Sequence, residues 1–294
     1  MWGLDGISTW WLMDLEDLVS RFDEIERNYI DDHIFELYCE GTPPANLGYV
    51  DRSSNIIDIS LPQSEIDLKI KQSLTELSST KKTSSTTGFL CWKSSVLLCD
   101  WLLTSDNVLM KLFSKSSNVI ELGAGVAGIC TSILAKKVHR YTATDQKHIL
   151  KLLKENIESN ITTSYVSTTL NNSAPVKRDI TLPIVNVIEF DWEEIEQGMF
   201  NYQDVTGNSH PDIILACDTI YNEYLIPHFI NTVKRLLKPD CSLAIVALQL
   251  RDSITIESFV RYVIITAGLR MYMIPAHLLS EELKSGYVIY ILTL

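Results

Sequence analysis

Val119-Ile120-Glu121-Leu122-Gly123-Ala124-Gly125-Val126-Ala127-Gly128-Ile129 decides the fold of this chain. A short apolar run enters a glycine turn, and the turn opens a second apolar run at helical spacing. That pattern reads as strand, tight loop and helix start. In an α/β sheet such a junction faces a crevice where ligands bind. Gly123 and Gly125 permit torsions and close approach that a Cβ would block. Gly128 is expected to serve helix–strand packing. The spacing also satisfies Gly-x-Gly-x-x-Gly, so on its own it admits a dinucleotide.

Outward from this loop, strand and helix patterns alternate. Strands are predicted over 119–122, 140–144, 185–190, 213–217 and 242–248, with helices over 127–136, 147–160, 223–237 and 253–267. Alternation of this kind gives a parallel sheet covered on both faces. Two further strands, 270–274 and 287–292, are joined by the short stretch 275–286, which predicts antiparallel neighbours. Upstream, Leu15, Leu18, Phe22, Ile25 and Tyr29 predict a helix over 14–29. Short strands are expected over 34–38 and 56–61, separated by Gly41-Thr42-Pro43-Pro44, and a helix over 66–77 from Ile66, Ile70, Leu74 and Leu77. The polar Ser/Thr run 78–87 reads as a solvated loop. The expectation is an α/β chain with a small N-terminal α+β extension over 1–86 and a ligand-binding domain over 87–294.

Composition narrows the classes of function. A formal charge of −12 over 294 residues disfavours generic nucleic-acid binding, whose affinity comes from phosphate contacts, and suits a basic partner. Six cysteines occur without a Cys-x-x-Cys pair, and six histidines are scattered without ligand spacing, so no metal site is predicted. Cysteines in apolar surroundings point to reduced thiols and a reducing compartment, the cytoplasm or the nucleus. No apolar run reaches membrane-spanning length. Residues 1–12 have neither a basic flank nor a small-residue cleavage site, so they do not read as a signal peptide, and Met13 is a candidate native start beside Met1.

Ligands in doubly wound sheets bind at the carboxyl ends of the strands. Glu121 and the glycines follow the first strand, and Asp145 the second. Asp191 and Trp192 follow the third, and Cys217, Asp218 and Tyr221 the fourth. Asp145 lies about 20 residues beyond the loop, where a carboxylate meets a ribose diol; capping the helix over 147–160 is its other possible job. Trp192 reads as an adenine-stacking wall, with core packing as the alternative. Charge separates the candidate ligands. With Glu121 read as lying at the loop mouth and Asp218 at the fourth strand end, a pyrophosphate would be repelled. The sulfonium and ammonium of S-adenosylmethionine would be favoured, by about 4 kcal/mol for charges 4 Å apart at an effective dielectric of 20. The alternative for Glu121 is a buried, internally satisfied acid.

Together, Thr87-Gly88-Phe89-Leu90-Cys91-Trp92-Lys93-Ser94-Ser95, the glycine loop, Thr144-Asp145, Phe190-Asp191-Trp192 and the Asp-x-x-Tyr motif Asp218-Thr219-Ile220-Tyr221 resemble the seven-β-strand protein-lysine methyltransferases of the methyltransferase-like group. The resemblance covers about 88–294. It implies a Rossmann-like seven-stranded sheet with a reversed last strand, S-adenosylmethionine as cofactor, and a basic protein substrate. It places Trp92, Glu121, Gly123, Ala124, Gly125, Asp145, Trp192 and Cys217 around the cofactor. Asp218 and Tyr221 fall at the substrate channel, as the residues that orient the amine. Position 217 is often a small residue in the group, so Cys217 is not expected to be a nucleophile. Asn46-Leu47-Gly48-Tyr49-Val50 and the Ser/Thr-rich run are similar to a fungal branch of the group acting on a large-subunit ribosomal protein. A monomer is implied. The insert 161–183 and the acidic stretch 193–204 read as solvated loops or recognition surfaces. Two rival readings remain at this point: an NAD-type oxidoreductase, for which no catalytic His or Tyr–Lys pair is evident, and a non-catalytic scaffold.

Overall fold

A computed structural model describes residues 10–40, 47–77, 87–161, 165–168 and 182–294. The strands are β1 (Asp23–Glu24), β2 (Ile56–Leu61), β3 (Ile66–Lys71), β4 (Asn118–Leu122), β5 (Arg140–Asp145), β6 (Tyr165–Thr168), β7 (Ile184–Glu189), β8 (Ile213–Cys217), β9 (Leu243–Gln249), β10 (Arg270–Met273) and β11 (Tyr287–Thr293). The α-helices are α1 (Trp10–Val19), α2 (Ile30–Glu40), α3 (Leu74–Leu77), α4 (Lys93–Leu102), α5 (Ile129–Leu134), α6 (Leu150–Asn160), α7 (Ile195–Thr206), α8 (Ile226–Leu236), α9 (Ser253–Arg261) and α10 (Glu281–Lys284).

The main sheet runs β1-β10-β11-β9-β8-β4-β5-β7-β6. Strands β6, β7, β5, β4, β8 and β9 are mutually parallel, and β11 lies antiparallel between β9 and β10. The seven strands expected from the sequence are all present, with the last one reversed. Two more extend the edges: β1, from the N-terminal part, pairs with β10, and β6, from the insert 161–183, pairs with β7. The rest of that insert, apart from residues 161, 182 and 183, lies outside the described residues, as do 1–9, 41–46 and 78–86. The chain leaves β4 for β5 on one side and later returns to place β8 on the other. The switch point therefore lies at the carboxyl ends of β4, β5 and β8. Apolar side chains pack on both faces of the sheet, with Val119, Leu215 and Ile245 on one and Ile120, Ile214 and Val246 on the other. Among the described residues, no helix is long and apolar enough to cross a membrane.

Several local expectations are corrected. Residues 34–38 are helical, within α2: Ile30 and Ile34 repeat every four residues and pack, with partly buried Leu37 and Tyr38, in the core beneath α9. Residues 66–71 form a strand rather than the start of a helix. Leu68 and Ile70 are buried while Asp67, Lys69 and Lys71 alternate outward, and every residue pairs with β2. The four-residue spacing of Ile66 and Ile70 satisfies both periods, and the charges between them decide in favour of period two. The helix expected over 14–29 ends at Val19, and Asp23–Glu24 is used for edge pairing. The acidic stretch 193–204 is mostly α7, which buries Gly198, Met199 and Tyr202.

Candidate functional site

A cleft of about 670 Å³ opens at the switch point and gathers residues from seven parts of the chain. The glycine loop forms its floor. Gly123 and Gly125 adopt φ of 73° and 61°, in the left-handed region. A Cβ on Gly123 would lie 3.0 Å from Thr219 Cγ2 and 3.3 Å from Trp192 Cζ2, so the close approach requires glycine.

The loop amides already have partners. Gly123 N and Ala124 N donate to Thr144 O at 3.1 and 2.9 Å, and Val126 N donates to Gly88 O at 2.8 Å. Gly125 N donates to Asp145 Oδ2 at 2.8 Å. Anion binding at a glycine loop depends on amides that point at the ligand. These point into the protein, and that disfavours a pyrophosphate.

Asp145 ends β5 on the cleft wall, as expected for a diol ligand. Its Oδ1 accepts from Gln146 N at 2.8 Å, and Oδ2 takes the Gly125 amide. Burial pushes its pKa up to about 6, against the lowering effect of those two amides. Asp145 does not cap the following helix, because α6 starts only at Leu150 with Ile149 in the cap position.

The reading of Glu121 as a charge at the loop mouth is overturned. Its residue is 2% exposed, and its Oε2 accepts from Thr131 Oγ1 at 2.9 Å and Tyr141 OH at 2.8 Å. Strand alternation puts Val119 and Glu121 on the face of β4 packed by α4 and α5, and Glu121 lies within that core and does not line the cleft. Burial raises its pKa well above the carboxylate range. Its alternative, a satisfied buried acid, is the correct one.

Trp92, Trp192 and Cys217 line the cleft. Trp92 stands at the entry to α4 and donates from Nε1 to Thr87 O at 3.0 Å. Trp192 meets Phe229 edge-on at 5.0 Å between ring centroids, leaving its other side to the cleft. Cys217 Sγ lies 3.7 Å from Cys130 Sγ. That contact, then burial, pushes the Cys217 thiol well above its usual range, against a nucleophilic role for Cys217 itself.

Asp218 and Tyr221 form the turn after β8 at the cleft mouth. Asp218 adopts φ 58°, a left-handed conformation that Asp tolerates better than most residues, and its amide donates to Ala247 O at 2.8 Å. Asp218 is paired with Arg251, a residue the sequence reading missed. Arg251 Nη1 donates to Asp218 Oδ1 at 2.6 Å, Nη2 donates to Oδ2, and the guanidinium lies over Trp92 at 5.2 Å. Arg251 stands two residues beyond β9, so extending the strand-end rule to the fifth strand would have found it. It also reaches Leu47 O, through Nη2 at 3.0 Å. Leu47 thereby becomes part of the cleft wall. Tyr221 is 40% exposed at the rim.

Among the lining residues, Asp145, Asp191, Glu193 and Asp218 supply carboxylates against one guanidinium, which is already engaged. The cleft as a whole, rather than Glu121, favours a cationic ligand over a pyrophosphate. Among the described residues, no group of three or more His, Cys, Asp or Glu is arranged to hold a metal ion.

Residues 71–262 match the model of a family described as lysine methyltransferase. The chain is 29% identical to "Ribosomal lysine N-methyltransferase 5" of Lachancea thermotolerans, over 94% of this chain and 99% of that protein. It is 30% identical to the protein of the same name from Zygosaccharomyces rouxii, over 75% of this chain and 77% of that protein. Among solved structures, a T. thermophilus 16S rRNA N2 G1207 methyltransferase in complex with AdoMet and guanosine overlaps 85% of this chain and 52% of its own, with 12% identity and a TM-score of 0.46.

Proposed function

The chain belongs to the lysine methyltransferase family, and from that premise we propose that it methylates the side-chain amine of a lysine in a large-subunit ribosomal protein, at the cleft between the glycine loop and the Asp218–Tyr221 turn. The observation that carries this assignment of the site is the convergence of Asp145 and the glycine loop on one side of the cleft with Asp218 and Tyr221 on the other. The ribosomal substrate is supported by the names of relatives that match nearly the whole chain. The charge of −12 agrees with a basic substrate.

The cofactor S-adenosylmethionine fits the residues present. Asp145 has lone pairs left for a ribose diol after receiving two amides. Gly123 and Gly125 leave a floor without side chains, and Trp192 offers an aromatic wall. The acidic lining suits a sulfonium and an ammonium. When bound, the cofactor would supply an electrophilic methyl group to the lysine nitrogen, its sulfur keeping the electron pair of the bond given up. The protein's own task is alignment. Trp92, Tyr221 and Leu47 line the cleft, and Tyr221 would orient the incoming nitrogen. Asp218 acts by holding the turn, while solvent takes the lysine proton. Lysine's ordinary pKa of about 10.4 makes that loss the demanding step near neutrality, and a partly desolvated approach favours it. The ribosomal substrate points to the cytoplasm.

Ribosomal proteins from cells lacking the gene, incubated with the purified enzyme and methyl-labelled cofactor, test the reading. One labelled large-subunit protein, with the label on lysine by mass spectrometry, is expected. No labelling, despite calorimetric binding of S-adenosylhomocysteine, would leave a scaffold; binding of a nicotinamide dinucleotide instead would restore the oxidoreductase.

A further inference from the structure

The Asp218 side chain is 3% exposed at the cleft mouth, while its partner Arg251 is 24% exposed. Arg251 engages both carboxylate oxygens, and Gln249 N approaches Oδ1 at 3.4 Å. Arg251 is held in turn by Leu47 O and by the face of Trp92. A fork bonded on both prongs and stacked on an indole has a fixed place.

We propose that Arg251 is a positioning residue whose guanidinium keeps Asp218 charge-balanced, so that the incoming lysine loses its proton beside a neutral pair rather than beside a lone carboxylate. The inference rests on the lysine reading above. An amine must be neutral to attack, and a carboxylate within about 4–6 Å holds it in the charged form, typically displacing a pKa by one to three units. With Arg251 bound to both oxygens, most of that influence is cancelled. The proton passes from the lysine ammonium to bulk water, and Asp218 neither takes nor returns it.

Other groups bear on the same point. Tyr287 of β11 stands near the pair, its pKa pushed up to about 12 by burial first and Asp218 second, with Arg251 opposing. Cys217 ends β8 next to Asp218, Tyr221 shares its turn, and Asp145, Asp191 and Glu193 line the cleft with them. A double variant isolates the Arg251–Asp218 pair from these.

The experiment measures single-turnover methyl transfer to the labelled ribosomal protein from pH 6.5 to 10, with enzyme in excess. Arg251→Gln is expected to move the rising limb of the profile to higher pH by about one unit, and so to lower the rate near neutrality about tenfold. Adding Asp218→Asn to Arg251→Gln is expected to return the limb to the wild-type position, and Arg251→Lys to leave it there. The proposal is overturned if Arg251→Gln lowers the rate equally at every pH, or if the double variant keeps the displaced limb. S-adenosylhomocysteine affinity reports folding of each variant. If Arg251→Gln does not fold, a limb displaced in Arg251→Lys overturns the proposal and an unmoved one supports it. A wild-type enzyme that labels no lysine refutes the underlying reading, an outcome separate from any change in the limb.

Discussion

Asp145→Asn tests the cofactor reading most directly, because the structure predicts opposite outcomes for stability and binding. In the wild type, folding moves the Asp145 pKa from 3.8 to about 6, chiefly through burial. At 1.36 kcal/mol per pH unit this amounts to about 3 kcal/mol. The group is an acid whose folded-state pKa is raised, so the folded chain retains a proton that the unfolded chain has released. Its favourable contribution is complete below about pH 4, declines as pH rises through 4 to 6, and is lost above that. Asparagine removes this dependence and, at pH 7.5, the desolvation burden with it. It also turns an amide NH2 toward either Gly125 N or Gln146 N, both now satisfied at 2.8 Å. Leaving one of those donors unpaired costs about 1–3 kcal/mol. The two effects nearly cancel, and the ligand-free variant is expected within about 2 kcal/mol of wild type at pH 7.5. Binding has no such compensation. A ribose diol loses one or two hydrogen bonds to a charged acceptor, about 2–4 kcal/mol, or roughly 30- to 1,000-fold in affinity. Calorimetry with S-adenosylhomocysteine and urea denaturation at pH 4.5 and 7.5 measure both. Affinity within threefold of wild type, or stability–pH curves that run parallel, would refute the reasoning.

Four further outcomes are expected, at three positions. Glu121→Gln should keep S-adenosylhomocysteine affinity within a few-fold, because the acid lies outside the cleft. Glu121→Ala should destabilise by about 2–4 kcal/mol in urea melts by stranding Thr131 and Tyr141; a large affinity loss in Glu121→Gln would restore its role as a cleft charge. Gly123→Ala places a Cβ against Thr219 and Trp192 at a positive φ, and should weaken cofactor binding at least tenfold with about 1–3 kcal/mol of strain; unchanged binding would show that the loop floor is not the cofactor seat. Tyr221→Phe should lower single-turnover methyl transfer severalfold while leaving cofactor affinity intact, and an unchanged rate would remove the hydroxyl from the orienting role.

The legible parts of this protein are those governed by local patterns. Apolar runs, glycine turns and helix spacing located seven strands and the reversal of the last, because strand and helix periods are properties of neighbouring residues. The same patterns faltered upstream, where Ile66 and Ile70 satisfy two periods at once and only pairing with β2 chooses between them. They also put Asp145, Trp192, Cys217 and Asp218 around one cleft, since a parallel sheet brings its strand ends together.

Tertiary structure decided what those residues face. Glu121 and Leu122 are adjacent in sequence yet point to opposite sides of β4, and only the helices packed on both faces show that neither side chain reaches the cleft. The loop amides are directed inward by Thr144, Gly88 and Asp145, which the glycine spacing does not reveal. Asp218 stands 33 residues before its counter-charge, and Arg251 stands 204 residues after the carbonyl of Leu47. Electrostatic balance depends on distance in space, so it becomes visible only when the chain has brought such residues together.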